Sequence, residues 1–125
     1  MKINGRPKIL IVDDDKYIMD SVRELMTKWQ IEADFAENGA NAIEEMTKEN
    51  YALIMLDMKM DIMDGLEVLR YMNYRNLTIP VILISAYASD KRVEEALKYY
   101  PVLFLTKPIS PDALKTIIGK YIKIG

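Results

Sequence analysis

The sequence predicts an α/β domain in which one parallel sheet is covered by helices on both faces. Five short apolar runs alternate strictly with five stretches that have helical spacing. This alternation is typical of parallel strands joined by right-handed helical crossovers. The runs are apolar throughout, so we expect strands that are buried on both sides. In such sheets ligands bind beyond the carboxyl ends of the strands, which is where we look for function.

The predicted strands cover residues 9–12, 33–36, 52–56, 81–84 and 102–105, of which the second is the weakest. Between them, apolar residues recur three or four positions apart, as they do on one face of a helix. These helical stretches include residues 18–29, 42–46, 66–72, 93–100 and 114–121. In the last stretch, we expect the buried face to carry Leu114, Ile117, Ile118 and Tyr121.

Local signals mark where several helices begin. Ser110-Pro111 combines a favoured N-cap residue with proline at the first helical position. Asn38-Gly39 and Asp64-Gly65 predict turns directly ahead of helices. Asp15 is best placed to cap the first helix, because acidic residues favour helix N-termini.

Length and composition narrow the chemistry that the chain can perform. Its 125 residues suit one domain, which we expect over residues 8–125 after a flexible tail at residues 1–7. A net charge of −2 argues against direct nucleic-acid binding. The absence of cysteine and histidine excludes disulfides, thiol catalysis, Cys/His zinc sites and histidine-based triads. No signal or membrane-spanning segment is visible, so we expect a cytoplasmic protein without membrane contact.

Residues capable of chemistry stand at four predicted strand ends, namely Asp13-Asp14-Asp15, Asp57, Ser85 and Thr106-Lys107-Pro108. If the first and third strands are neighbours, Asp13 or Asp14 lies close to Asp57. Clustered carboxylates repel one another unless a cation compensates. Lys107 supplies one positive charge, and an all-oxygen site with few protein ligands favours Mg²⁺ for the rest.

Asp57 is predicted to accept a phosphoryl group. Carboxylates are known nucleophiles towards phosphoryl groups, and this transfer needs charge neutralisation more than covalent help. Mg²⁺, Lys107 and the Ser85 hydroxyl would together surround the phosphoryl oxygens. The simpler interpretations are that Asp57 is a turn residue, that Lys107 is a solvated surface lysine and that Ser85 is a turn hydroxyl. For Ser85 taken alone, the simpler interpretation is preferred. The bond between Lys107 and Pro108 is a candidate for the cis isomer.

These residues together resemble the receiver domains of two-component response regulators. The likeness extends from Lys8 to about Tyr121, and four segments in order carry it: ILIVDDD, LDMKM with MDG, VILISA and FLTKP. It implies a flavodoxin-like (βα)5 doubly wound sandwich whose five-stranded parallel sheet has the order 2-1-3-4-5. A narrower likeness, to single-domain regulators of sporulation phosphorelays, lies in Asp57-Met58-Lys59, Ser85-Ala86-Tyr87 and an ending just after the last helix.

The resemblance implies how the site would bind a metal and a phosphoryl group. Asp57 would be the phosphoacceptor, and Lys107 would pair with the phosphoryl group. Asp13 and Asp14 would help to hold Mg²⁺, with Asp14 and Asp57 as the more direct ligands. The backbone carbonyl of Lys59 would complete the protein's share of the metal shell.

The resemblance also implies a switch and a set of partners. Ser85 would be the switch hydroxyl and Phe104 the aromatic residue coupled to it. A sensor histidine kinase or a histidine phosphotransfer protein would donate the phosphoryl group. The face built from the fourth helix, the fifth strand and the fifth helix would then change shape for a downstream partner. We expect a monomer or a weak dimer.

Three departures from the family pattern stand out. The loop after the phosphoacceptor has Asp61-Ile62 where Pro-Gly is usual, which changes loop mobility and adds an acid near the metal. Tyr100-Pro101 replaces the usual Gly-Ala before the fifth strand, with Tyr99 as a candidate partner surface. Lys59 and Tyr87 flank the position of an attacking water, and neither orients water well, so we predict slow hydrolysis of the phosphoaspartate.

Two alternatives stay open on the sequence alone. A receiver-like interaction module that is never phosphorylated is kept open by the Asp61-Ile62 loop, although the complete set of site residues argues against it. An aspartate-nucleophile phosphatase would need a second acid two residues after the nucleophile, where this chain has Lys59. We therefore expect a signalling protein and not an enzyme. We expect either a stand-alone phosphate carrier or the receiver part of a larger regulator, and the sequence does not decide between them.

Overall fold

The computed structural model describes residues 7–86, 90–99 and 103–124. Strands and helices alternate as β1 (Lys8–Val12), α1 (Lys16–Lys28), β2 (Glu32–Ala36), α2 (Gly39–Lys48), β3 (Leu53–Asp57), α3 (Gly65–Tyr74), β4 (Val81–Ser85), α4 (Lys91–Leu97), β5 (Leu103–Thr106) and α5 (Pro111–Ile118). The strands form one parallel sheet of order β2-β1-β3-β4-β5. The predicted fold class and strand order are therefore confirmed. Most of the predicted tail, and the departures at Tyr87 and Tyr100-Pro101, lie outside the described residues.

The sheet separates two apolar layers because successive strand residues point to opposite faces. One layer contains Leu10, Ile54 and Leu83 and packs against α2, α3 and α4. The other contains Ile11 and Met55 among its strand residues and packs against α1 and α5. Every residue of β3 and β4 is buried, as the uniformly apolar runs predicted. The edge strands β2 and β5 are only partly buried, so the expectation of two covered faces fails for them.

The predicted helix starts are confirmed. The Asp15 carboxylate accepts a hydrogen bond from the Tyr17 N–H at 2.9 Å, and Asn38, Asp64 and Ser110 cap α2, α3 and α5 in the same way. Each cap satisfies a backbone donor that the first helical turn leaves without a partner. The caps therefore fix where the chain enters each helix after leaving the carboxyl end of a strand.

The prediction that Tyr121 lies on the buried face of α5 is wrong. The helix ends at Ile118, and the chain continues in a tighter turn in which the Tyr121 N–H donates to the Ile118 carbonyl three residues earlier, at 2.9 Å. The tighter winding rotates the following side chains relative to an α-helix. Tyr121 is consequently 39% exposed, and Ile122 takes the buried place with 5% exposure.

Across the described ranges, no helix is both long enough and apolar enough to span a bilayer.

Candidate functional site

The sheet register brings the predicted site residues to one edge. Val12 lies opposite Leu56, so the next residues, Asp13 and Asp57, leave neighbouring strands side by side. Ser85 ends β4 opposite Thr106 of β5. Because all strands are parallel, these carboxyl ends meet at the same edge.

Three carboxylates converge at this edge. One oxygen each of Asp13, Asp14 and Asp57 lies within 4.8 Å of the others. Asp13 and Asp57 are 4% and 3% exposed, whereas Asp14 is exposed to solvent. Asp13 Oδ1 accepts the Asp15 N–H at 2.9 Å, which orients the Asp13 carboxylate. Asp61 is exposed and is not one of these three clustered acids, so a place for it near the metal stays a prediction.

Lys107 is the cation that faces the two buried acids. Its Nζ lies 3.4 Å from Asp57 Oδ2 and 3.6 Å from Asp13 Oδ2. The Lys107 backbone N–H donates to the Ser85 carbonyl at 2.9 Å, which ties the lysine to the end of β4. The following peptide bond to Pro108 is cis, as predicted. Lys107 therefore bridges the acids at its side chain and the neighbouring strand at its backbone.

The pKa of Asp57 is shifted by the charged groups around it. Burial and, next, the negative charge of Asp13 raise the pKa of Asp57 to about 7, against the opposing effects of Lys107 and the Lys59 N–H. That N–H lies 3.4 Å from Asp57 Oδ1. Like charges that share a buried site favour the protonated form unless a cation is added. The site thus carries more negative charge than Lys107 alone compensates.

The donor set fits a hard divalent cation. All three side chains offer carboxylate oxygens, which Mg²⁺ prefers, and it commonly completes its shell with water. The exposed Asp14 leaves a solvent-facing side at which waters can complete such a shell. The residues present are therefore suited to Mg²⁺.

The two predicted switch residues lie on adjacent strands. Ser85 is 2% exposed at the end of β4. Phe104 lies on β5 opposite Leu83 and is half-buried against the apolar layer formed with α4. The pairing of β4 with β5 places the two residues on neighbouring strands, with Ser85 at the edge of the sheet that carries the acid cluster.

The sequence did not indicate the contacts that α4 makes with the β3–α3 loop (residues 58–64). The Arg92 guanidinium donates from Nε and Nη2 to Asp64 Oδ2, both at 2.7 Å. Lys59 Nζ lies 4.0 Å from Asp90 Oδ2. An Asp-Lys-Arg run at a helix start predicts a cap at most, because pairing partners on another element leave no local pattern.

Comparisons with known proteins identify the family that the site residues suggest. A family model described as the response regulator receiver domain matches residues 9–119. Sporulation initiation phosphotransferase F of Bacillus subtilis is 33% identical over 117 residues, which make up 94% of each chain. The predicted likeness to sporulation regulators is thereby confirmed. The transcriptional regulatory protein ZraR of Klebsiella oxytoca is 33% identical over 112 residues, which cover 90% of this chain and 25% of ZraR.

Solved structures lead to the same family. A CheY-like response regulator receiver domain protein from Methanospirillum hungatei has a TM-score of 0.84 at 27% identity, and the match covers 94% of each chain. The family model spans nearly all of the chain, and the carboxyl edge of the sheet carries the three acids and the lysine that its motifs predict. This protein belongs to the response regulator receiver domain family.

Proposed function

We propose that the chain accepts a phosphoryl group on Asp57 from a phosphohistidine of a sensor histidine kinase or a histidine phosphotransfer protein. The observation that carries this proposal is the buried Asp57 carboxylate, which has the Lys107 ammonium 3.4 Å away and two further acids beside it. A nucleophilic carboxylate and a fixed cation are the parts that phosphoryl transfer needs.

In the transfer step, one oxygen of Asp57 attacks phosphorus, the bond from phosphorus to the histidine nitrogen breaks, and an aspartyl phosphate forms. Lys107 would hold an oxygen of the moving group, and its contact with the attacking carboxylate supports this role. Asp13, Asp14, Asp57 and the Lys59 carbonyl would hold Mg²⁺. When bound, this ion supplies the additional positive charge that the crowded carboxylates and the phosphoryl oxygens need.

The phosphorylated site then acts on the face built from α4, β5 and α5. The Ser85 hydroxyl meets a phosphoryl oxygen, and Phe104 moves into the space that is released. This is a population shift between two states, biased by contacts that only one of them makes. The thin covering of β5 favours such a change, since Leu103 is 37% exposed and Phe104 is only half-buried.

The test is incubation with acetyl phosphate and Mg²⁺, followed by intact-protein mass spectrometry. We expect one phosphoryl adduct on the wild type and none on Asp57→Ala. An unmodified wild type would favour an interaction module that is not phosphorylated. Release of many phosphates per protein would instead favour an aspartate-nucleophile phosphatase.

A further inference from the structure

We propose that Arg92 and Asp90, in the first turn of α4, are positioning residues for the β3–α3 loop and thereby set the affinity of the site for Mg²⁺. This inference rests on the proposed function, since that loop carries the Lys59 carbonyl. It adds two residues that neither touch the acid cluster nor belong to the motifs that identified the family.

The loop lacks its own rigid residues. Where the family usually has Pro-Gly, this chain has Asp61 and Ile62, both exposed, with Ile62 at 59%. Proline would fix one backbone dihedral, whereas these residues leave it free to vary. Order in the loop must therefore come from contacts with neighbouring elements.

Backbone hydrogen bonds fix the loop at three points. The Met58 N–H donates to the Ile84 carbonyl at 2.8 Å, and the Gly65 N–H closes the loop by donating to the Met58 carbonyl at 3.1 Å. The Gly39 N–H, at the start of α2, donates to the Ile62 carbonyl at 3.1 Å. These bonds hold the base and the tip, but none of them involves the side chain of Lys59 or of Asp64.

Residues at the start of α4 contact the side chains of both Lys59 and Asp64. Lys59, near the beginning of the loop, faces Asp90 at 4.0 Å, and Asp64, at its end, accepts both donors of Arg92 at 2.7 Å. Asp64 divides its oxygens between two tasks. Oδ1 caps α3 by accepting the Glu67 N–H at 3.1 Å, and Oδ2 receives Arg92. The planar guanidinium fork suits such directed pairing.

These pairs are too exposed to contribute much to global stability. The side chains of Arg92 and Lys59 are 48% and 65% exposed, and ion pairs of this kind contribute about 1 kcal/mol or less. Their effect is local: by restricting the loop before the metal arrives, they reduce the ordering cost that binding must meet. Metal affinity should therefore respond to their loss while global unfolding hardly does.

The experiment is an NMR titration with Mg²⁺ that follows amide shifts at the site in wild type, Arg92→Gln, Asp64→Asn and the double variant. Asn keeps the cap oxygen of Asp64 but loses the acceptor for Arg92. We expect Arg92→Gln to weaken Mg²⁺ binding by about threefold to tenfold. Groups that directly support a metal ligand typically cost about tenfold to hundredfold when they are removed. The double variant should bind Mg²⁺ with at least the affinity of whichever single variant binds it less tightly.

Charge alone predicts the opposite sign, because removal of a positive side chain favours binding of a cation. Lys91→Gln makes the same charge change at the adjacent exposed position, and we expect equal or tighter Mg²⁺ binding for it. As a readout without metal, amide hydrogen exchange at Gly39 and Gly65 should accelerate in Arg92→Gln, while amides of α5 stay unchanged.

Unchanged or tighter Mg²⁺ binding by Arg92→Gln, or fully additive losses in the double variant, would overturn the inference and leave the proposed function standing. A wild type that does not bind Mg²⁺, or an Asp57→Ala variant that binds it equally well, would overturn both. These outcomes separate a failure of the positioning role from a failure of the site itself.

Discussion

Neutralising Asp57 should stabilise the metal-free protein, and the gain should increase with pH. The pKa of this buried carboxyl is about 7 against an ordinary 3.8. Between these two values the folded state binds more protons than the unfolded state, so stability falls as the pH rises from about 4 to about 7 and is level above that. Asp57→Asn removes the titrating group and with it this loss.

The magnitude follows from the size of the shift. Each pKa unit corresponds to about 1.4 kcal/mol, so a shift of about three units gives a full effect of about 4 kcal/mol above pH 8. At pH 5, where only the unfolded state is largely ionised, the same linkage gives about 2 kcal/mol. The advantage of Asp57→Asn over wild type should therefore grow by about 2 to 3 kcal/mol between pH 5 and pH 8.

Urea denaturation in EDTA at a series of pH values measures this difference. The fluorescence of Trp29, the single tryptophan and a buried one, reports unfolding. Asp61→Asn is the matched control, because it removes an exposed acid from the adjacent loop and should show no such trend. Addition of Mg²⁺ at pH 8 should stabilise wild type more than Asp57→Asn. The reasoning would be refuted if Asp57→Asn had the same stability advantage over wild type at pH 5 and pH 8, or if it were less stable than wild type at pH 8.

Three further changes test other parts of the site. Lys107→Met leaves two buried acids without their cation. In urea without metal, the free energy of unfolding should therefore fall by about 3 kcal/mol at pH 8 and by less at pH 5. Equal losses at the two pH values would contradict this. Gly39→Ala places a Cβ closer to the Met63 carbonyl oxygen than van der Waals contact allows and should lose about 1 to 3 kcal/mol in the same assay, whereas Gly119→Ala, with a nearest contact of 3.2 Å, should lose less. Lys59→Asn should shorten the lifetime of the phosphoaspartate about tenfold, as measured by intact mass over time, because an amide can orient the attacking water; an unchanged lifetime would refute the predicted role of Lys59.

The sequence predicted those features that depend on short-range pattern. Uniformly apolar runs identified the buried strands, and polar residues at their ends placed Asp13 and Asp57 together, because parallel strands bring their carboxyl ends to one edge. Capping residues located the helix starts for the same reason: the cap and the donors it satisfies lie within three residues.

Other features depend on pairings between distant segments, and the sequence could not supply them. Arg92 and Asp64 are separated by 28 residues, and nothing in the local pattern of either marks the other as its partner. Tyr121 was misplaced because helical spacing was extended through the end of α5, where the backbone tightens around Gly119. The exposure of Leu103 follows from the position of β5 at the sheet edge, which only the strand order fixes.

The arrangement of charges explains why this site needs both a cation and a supported loop. Lys107 faces the two buried carboxylates, and the exposed Asp14 lies beside them, so the folded protein holds like charges together at a cost that Lys107 offsets only in part. A bound divalent cation removes that cost, but three side chains alone leave much of its shell to water. The Lys59 carbonyl, which we propose as a further ligand, belongs to the loop after β3, whose sequence has lost the usual Pro-Gly. The excess negative charge that favours a metal therefore gives the proposed positioning role of the loop's contacts with α2 and α4 its physical basis.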